Sequence, residues 1–245
     1  MSEMERLTLT AHLQELRRRL VISLVAVAAG FLLSYPFSQE IFDWLARPLY
    51  RLMPADKSLI FTGYSEAFFL YLKLAFFSGL VIASPVLLYQ LWAFVAPGLY
   101  AREKKSALPF IAFSTLFFIA GSLFAYFAVF PVAFKFFLGY DSEFITAVPV
   151  MGEYCSFAVH LLFAFGLAFQ FPVAMCLLAK IHVVSTWILR RNRKYAVLVI
   201  FIASALITPT PDIVNQLLMA GPLMLLYEFS ILLIWLMERK PPGLE

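Results

Sequence analysis

Two carboxylates stand where a membrane protein normally gathers positive charge. Glu15 lies in HLQELRRRL, residues 12–20, directly ahead of the apolar run LVISLVAVAAGFLLSYPF. Glu103 lies in LYAREKKSALPF, flanked by Arg102 and Lys104, ahead of another such run. Each has two readings. In the first, the acid serves its own helix: Glu15 pairs with Arg18 or Arg19, at i+3 and i+4, and Glu103 sits at the positive end of the helix that follows. In the second, each carboxylate faces outward and holds a cation. Guanidinium fits best, because its planar fork gives a carboxylate two parallel N–H bonds, whereas lysine is a single-point donor. Residue types alone leave both readings open.

The remaining polar residues are sparse. Gln170, in AFGLAFQFPV, falls near the middle of an apolar run, where an amide needs a partner. That partner is either another helix of this chain or the helix of a second protein. Asp212 follows Thr208-Pro209-Thr210-Pro211 and is placed to cap a helix, with Gln216 one turn further on. Glu228 lies deeper in the same run, where it snorkels or is protonated. His160 and Lys73 sit in or beside apolar runs, with no evident catalytic partner. Cys155 and Cys176 share one run; on a helix they are about 30 Å apart, too far for a disulfide. No Cys/His spacing suits a metal, no facing histidines suit haem, and no phosphate-binding glycine loop suits ATP. No cofactor is expected, and the chain is not read as an enzyme.

Composition defines what must position these residues. Of 245 residues, 62% are apolar and only 14% charged, with a mean hydropathy of +0.86. Soluble domains run nearer a quarter charged. The chain is therefore an all-α integral membrane protein, a single polytopic domain over residues 1–245. Six apolar runs predict spans near 20–37, 68–94, 107–135, 153–181, 195–208 and 213–236. The continuity of the runs excludes a β-barrel. The sequence pI near 9.1 does not point to nucleic acid, because the basic residues form short clusters beside apolar runs.

Those clusters orient the bundle. Arg6, Arg17, Arg18 and Arg19 precede the first span; Arg102, Lys104 and Lys105 lie in the second connection. Lys180, Arg190, Arg191, Arg193 and Lys194 lie in the fourth, and Arg239 and Lys240 follow the last span. Fourteen of the 19 basic residues thus share one side, which places both termini in the cytoplasm. Spans two to four are longer than one bilayer needs, and the fifth and sixth are expected to be short. The fifth apolar stretch reaches only about 20 Å against a core of about 30 Å. Pro85, Pro131, Pro172 and Pro222 are expected to kink the long helices, which together form a concave wall. The outer connection 38–67 contains FDWLARPLYRLM, amphipathic enough to lie on a membrane surface. No internal repeat suggests a transporter with inverted halves.

Six segments, in order, resemble one family. They are HLQELRRRL at 12–20, ARPL at 46–49, SPVLLYQLWAFVAPGLYAREKK at 84–105, FAYFAVFPVAFKF at 124–136, FGLAFQFPV at 165–173 and LITPTPDIVNQLLMAGPLMLLYE at 206–228. Over nearly its whole length the chain resembles the TatC family, the multi-spanning core of the twin-arginine protein translocase. The resemblance implies a receptor for the twin-arginine signal peptides of folded cargo. It implies TatA-like and TatB-like single-span partners, other copies of the chain in a complex, and transport driven by the proton-motive force across the cell inner membrane. Glu15 and Glu103 match the carboxylates that bind the two arginines. Arg17, Pro48 and Phe94 match further positions tied to signal recognition or function, and Asp212 one that is functional or structural. Gln170, Thr208 and Gln216 fall in the region implied to dock partner helices. The family often has glutamate where this chain has Gln170, so a role there rests on hydrogen bonding and not on titration. A small-molecule secondary transporter is the alternative, and an intramembrane enzyme a third, weaker one. No organelle-targeting segment is seen, which is expected of a bacterial inner-membrane protein.

Overall fold

The structure is a computed structural model, and it describes residues 3–53, 59–95, 104–139, 149–207 and 213–238. Helices make up nearly all of these residues. In chain order they are α1 (Glu3–Ser34), α2 (Ser38–Tyr50), α3 (Glu66–Val95), α4 (Lys104–Phe124), α5 (Phe130–Leu138), α6 (Met151–Ala168), α7 (Gln170–Lys180), α8 (Thr186–Arg191), α9 (Arg193–Ile207) and α10 (Ile213–Glu238). Every backbone polar group in a bilayer must be satisfied within its own segment, and a long apolar helix does this. Among the described residues five stretches are long and apolar enough to cross a membrane: His12–Tyr50, Glu66–Phe94, Phe110–Leu138, Met151–Lys180 and Gln216–Glu238.

The helix boundaries follow from punctuation in the sequence. Pro36 lies in a single 3-10 turn, Tyr35–Phe37, that carries α1 directly into α2. The expected outer connection therefore begins as helix. On α2 the stripe Phe42, Leu45, Ala46 and Leu49 is buried, as is Met53 just after the helix. That stripe is covered by protein, while Trp44, Tyr50 and Leu52 of the same segment stay exposed. Prolines act unequally. α3 runs on through Pro85, and α10 through Pro222. Before Pro131 the chain widens into a π-turn, Ala125–Val129, which absorbs the missing N–H. Before Pro172 the helix breaks at Phe169, because the ring would strike the carbonyl one turn back. Helix α9, with 15 residues, is short as expected, about 22 Å. Helix α10, expected to be short, has 26 residues, about 39 Å. The run at 213–236 already holds 24 residues, enough to span, so the expectation of a short sixth helix did not follow from its own bounds.

The chain divides into two compact units, Met1–Trp44 with Gly63–Leu116, and Leu45–Thr62 with Phe117–Glu245. In the first, α1 and α3 pair antiparallel along their lengths. In the second, α4 and α6 approach closely. A Cβ on Gly121 would lie 2.5 Å from the Phe165 carbonyl oxygen, and the Ser122 hydroxyl donates to the Leu162 carbonyl at 3.2 Å. The chain near Ile60 forms a parallel bridge with Val150, and the buried Tyr154 hydroxyl donates to the Leu45 carbonyl at 2.6 Å. A cluster of Leu189, Tyr227, Ile231 and Ile234 joins α8 to α10. Cys155 and Cys176 form no disulfide, as their spacing required.

Candidate functional site

The α1–α3 pair is set by two glycines. A Cβ on Gly30 would lie 2.4 Å from the Gly79 carbonyl oxygen, and one on Gly79 2.5 Å from the Phe31 backbone nitrogen. The backbones nearly touch, so only hydrogen fits at either position. That contact fixes the register of everything along the pair. Arg19 precedes Gly30 by 11 residues, and Gln90 follows Gly79 by 11. Eleven residues is about three turns, so both side chains return to the facing sides.

They meet there. Arg19 Nη1 donates to Gln90 Oε1 at 3.2 Å. The same guanidinium donates to Glu15 Oε1 through Nε at 3.0 Å and Nη2 at 2.5 Å. Both bonds fall on one carboxylate oxygen. The other, Oε2, accepts no hydrogen bond from the described residues. The Glu15 side chain is 40% exposed, the Arg19 side chain 21%, and Gln90 is 8% exposed. About one turn from Glu15, His12 stacks on Phe94 with ring centroids 4.5 Å apart and planes 18° from parallel. Nineteen residues separate Glu15 from Ser34, about 28 Å along α1 and close to a bilayer core's thickness. Glu15 therefore stands at the rim when α1 spans.

Magnitudes rank these bonds. An exposed i,i+4 ion pair contributes about 0.3–0.5 kcal/mol. Leaving a buried amide oxygen unmet costs about 1–3 kcal/mol. The Arg19 side chain is only 21% exposed, so its two charge-assisted bonds to Glu15 count for more than an exposed pair, and Gln90 holds it from the other side. The intrahelical pairing expected for Glu15 exists, yet it leaves half the carboxylate's acceptor capacity unused.

The other sequence-derived residues fall as follows. Arg17 is exposed on α1, with no partner among the described residues. Phe94 joins the site through His12. Pro48 sits in α2 within the second unit, beside buried Ala46 and Leu49. Gln170 is buried at the first position of α7. Gln216 Nε2 donates to the Phe201 carbonyl at 3.1 Å, joining α10 to α9. Glu103, Thr208 and Asp212 lie outside the described residues. Glu228 pairs with Arg193 at 2.6 Å, with both side chains half exposed, so it is a paired surface carboxylate. Sequence reasoning missed Gln90. Its only trace was one amide in the apolar stretch LLYQLWAF.

Long apolar helices, one of them carrying a half-open carboxylate near its end, define a polytopic α-helical membrane protein. The family described as "Sec-independent protein translocase protein (TatC)" matches residues 11–222. The chain belongs to this family. It is 49% identical over 230 residues to the Sec-independent protein translocase protein TatC of Desulforapulum autotrophicum, covering 94% of this chain and 85% of that one. It is 47% identical over 232 residues to the TatC of Magnetococcus marinus, covering 95% and 85%. A solved structure, "Crystal Structure of Twin Arginine Translocase Receptor- TatC", superposes with a TM-score of 0.82 at 40% identity, covering 93% of this chain and 100% of that one. The expected family and fold class hold. The small-molecule transporter reading finds no support among these relatives.

Proposed function

We propose that this chain is the receptor and core of a twin-arginine translocase, and not an enzyme. Cargo docks through the two arginines of its signal peptide at the cytoplasmic rim. Glu15 takes one guanidinium and Glu103 the other, with Arg17 and Phe94 shaping the surroundings, while Pro48, on α2 in the outer connection, contributes to signal-peptide binding away from the rim. The observation that carries this reading is the Glu15 carboxylate, half exposed, already engaged by a guanidinium fork and with Oε2 still open. The apolar part of the signal peptide then lies along the exposed apolar faces of the long helices. TatA-like and TatB-like single-span proteins dock near Gln170, Thr208 and Gln216, Asp212 has a functional or structural role, and further copies of the chain complete the complex. The chain is a multi-pass protein of the cell inner membrane with six spans, α9 being the short fifth, and both termini in the cytoplasm. The proton-motive force drives transport.

The test is binding of a twin-arginine signal peptide and its twin-lysine version to the purified protein in detergent. Glu15→Ala and Glu103→Ala should each weaken arginine-peptide binding about tenfold to a hundredfold, the range of a charge-assisted hydrogen-bonded pair. Equal binding of the two peptides, or normal binding by both variants, would return the glutamates to helix electrostatics.

A further inference from the structure

We propose that Arg19 is an internal competitor for the carboxylate of Glu15, and that Gln90 is the latch that holds Arg19 when it yields. The inference rests on the reading of Glu15 as a guanidinium site. Arg19 puts two N–H donors on Glu15 Oε1, and its third bond, from Nη1, goes to buried Gln90. A parallel fork-on-fork pair with a guanidinium from outside uses both carboxylate oxygens. Oε2 is open, so an arriving arginine engages it first. It gains the second bond only when Arg19 leaves Oε1.

The geometry lets that exchange occur without loosening the helices. Arg19 keeps its anchor on Gln90, and the Gly30–Gly79 contact keeps α1 against α3. The carboxylate never stands as an uncompensated acceptor, because one guanidinium replaces another. The consequence is a reversible grip, gained at some cost in discrimination between arginine and lysine. A lysine ammonium can settle on Oε2 alone, so Arg19 hardly opposes it. An arginine must displace Arg19 and is held less tightly than the bare carboxylate would hold it, which keeps a receptor's grip on its cargo reversible.

The experiment compares twin-arginine and twin-lysine peptides on the full chain in detergent, for wild type, Arg19→Gln, Arg19→Lys, Glu15→Ala and Glu15→Ala/Arg19→Gln. Arg19→Gln should tighten arginine-peptide binding at least fivefold and lysine-peptide binding by less than twofold. Arg19→Lys keeps the charge and loses the fork, so it should show part of the same gain. Neither gain should survive in the double variant. Unchanged or weaker arginine-peptide binding in folded Arg19→Gln or Arg19→Lys would overturn the competitor and make Arg19 a positioning residue. A gain that persists without Glu15, or that is equal for both peptides, would reduce the effect to net charge. If Glu15→Ala alone binds normally, the underlying receptor reading fails instead, which separates the two failures.

Discussion

The rim of the α1–α3 pair and the α9–α10 pair solve opposite problems. At the rim, polar groups are linked in a chain, Glu15 to Arg19 to Gln90, that ends with a free acceptor position on the outer member. On α9 and α10 the polar groups close on one another within the chain. Gln216 reaches the Phe201 carbonyl, Glu228 pairs with Arg193, and the Tyr227 hydroxyl donates to the Leu189 carbonyl. Beyond the Arg193–Glu228 pair and Lys194, the most exposed side chains of α9 and α10 are apolar: Leu206 is 82% exposed, Ile213 74% and Leu225 71%. One region keeps hydrogen-bonding capacity in reserve, and the other keeps apolar surface. The first suits recognition of a charged ligand. The second suits lipid or the helix of another membrane protein, where packing and not charge decides association.

The contrast can be broken most severely at its mechanical base. Gly79→Leu forces a side chain into the Phe31 backbone, so α1 must leave α3. We expect a loss of stability of about 3 kcal/mol or more, above the usual range for an overpacked side chain because backbone cannot yield. Thermal unfolding in detergent reads it, and arginine-peptide binding should fail at the same time. A near-normal midpoint would show that the register is set elsewhere.

A smaller effect is expected on the other side. Gln216→Leu removes the α9–α10 amide bond and should cost about 1 kcal/mol. It should leave signal-peptide binding unchanged while weakening capture of a single-span partner in a pull-down from membranes. Reduced peptide binding would merge the two regions that this contrast separates. The smallest effect is expected for Arg193→Gln. Its ion pair with Glu228 is half exposed on both sides, so stability should shift by no more than about 0.5 kcal/mol. A larger loss would mean that the pair is sheltered in the assembled membrane complex.

His182 is a separate small test of the local backbone. It follows α7 with φ of 59°, the left-handed conformation that glycine adopts without strain, and the Val183 N–H closes back on the Leu178 carbonyl. His182→Gly should stabilise the chain by up to about 1 kcal/mol, read from the same unfolding curves.

Much of the fold was legible because membrane spans announce themselves by length and by where charge resumes. The reading of 68–94 matches α3 at Glu66–Val95, and that of 195–208 matches α9 at Arg193–Ile207. Continuity was harder to see. Nothing in Tyr35-Pro36-Phe37 reveals that the chain makes one tight turn and resumes as α2, because proline at the start of a helix and proline ending one look alike in sequence. The site was half legible. Glu15 stood out by its sign among arginines, and its i+4 partner followed from helix geometry. Gln90 did not, because it lies 71 residues from Arg19 and meets it only through the glycine contact. Glu103, Thr208 and Asp212 keep the standing that sequence and resemblance give them.

The most direct test of the central claim places a cysteine at exposed Leu16, beside Glu15, and another at exposed Leu225 on α10. Each is paired with a signal peptide carrying a cysteine next to its arginine pair, and disulfide formation is measured in membranes. The account predicts rapid crosslinking at position 16, its loss when the arginines become lysines, and little at position 225. Equal crosslinking of both peptides at position 16, or preferential crosslinking at position 225, would contradict it.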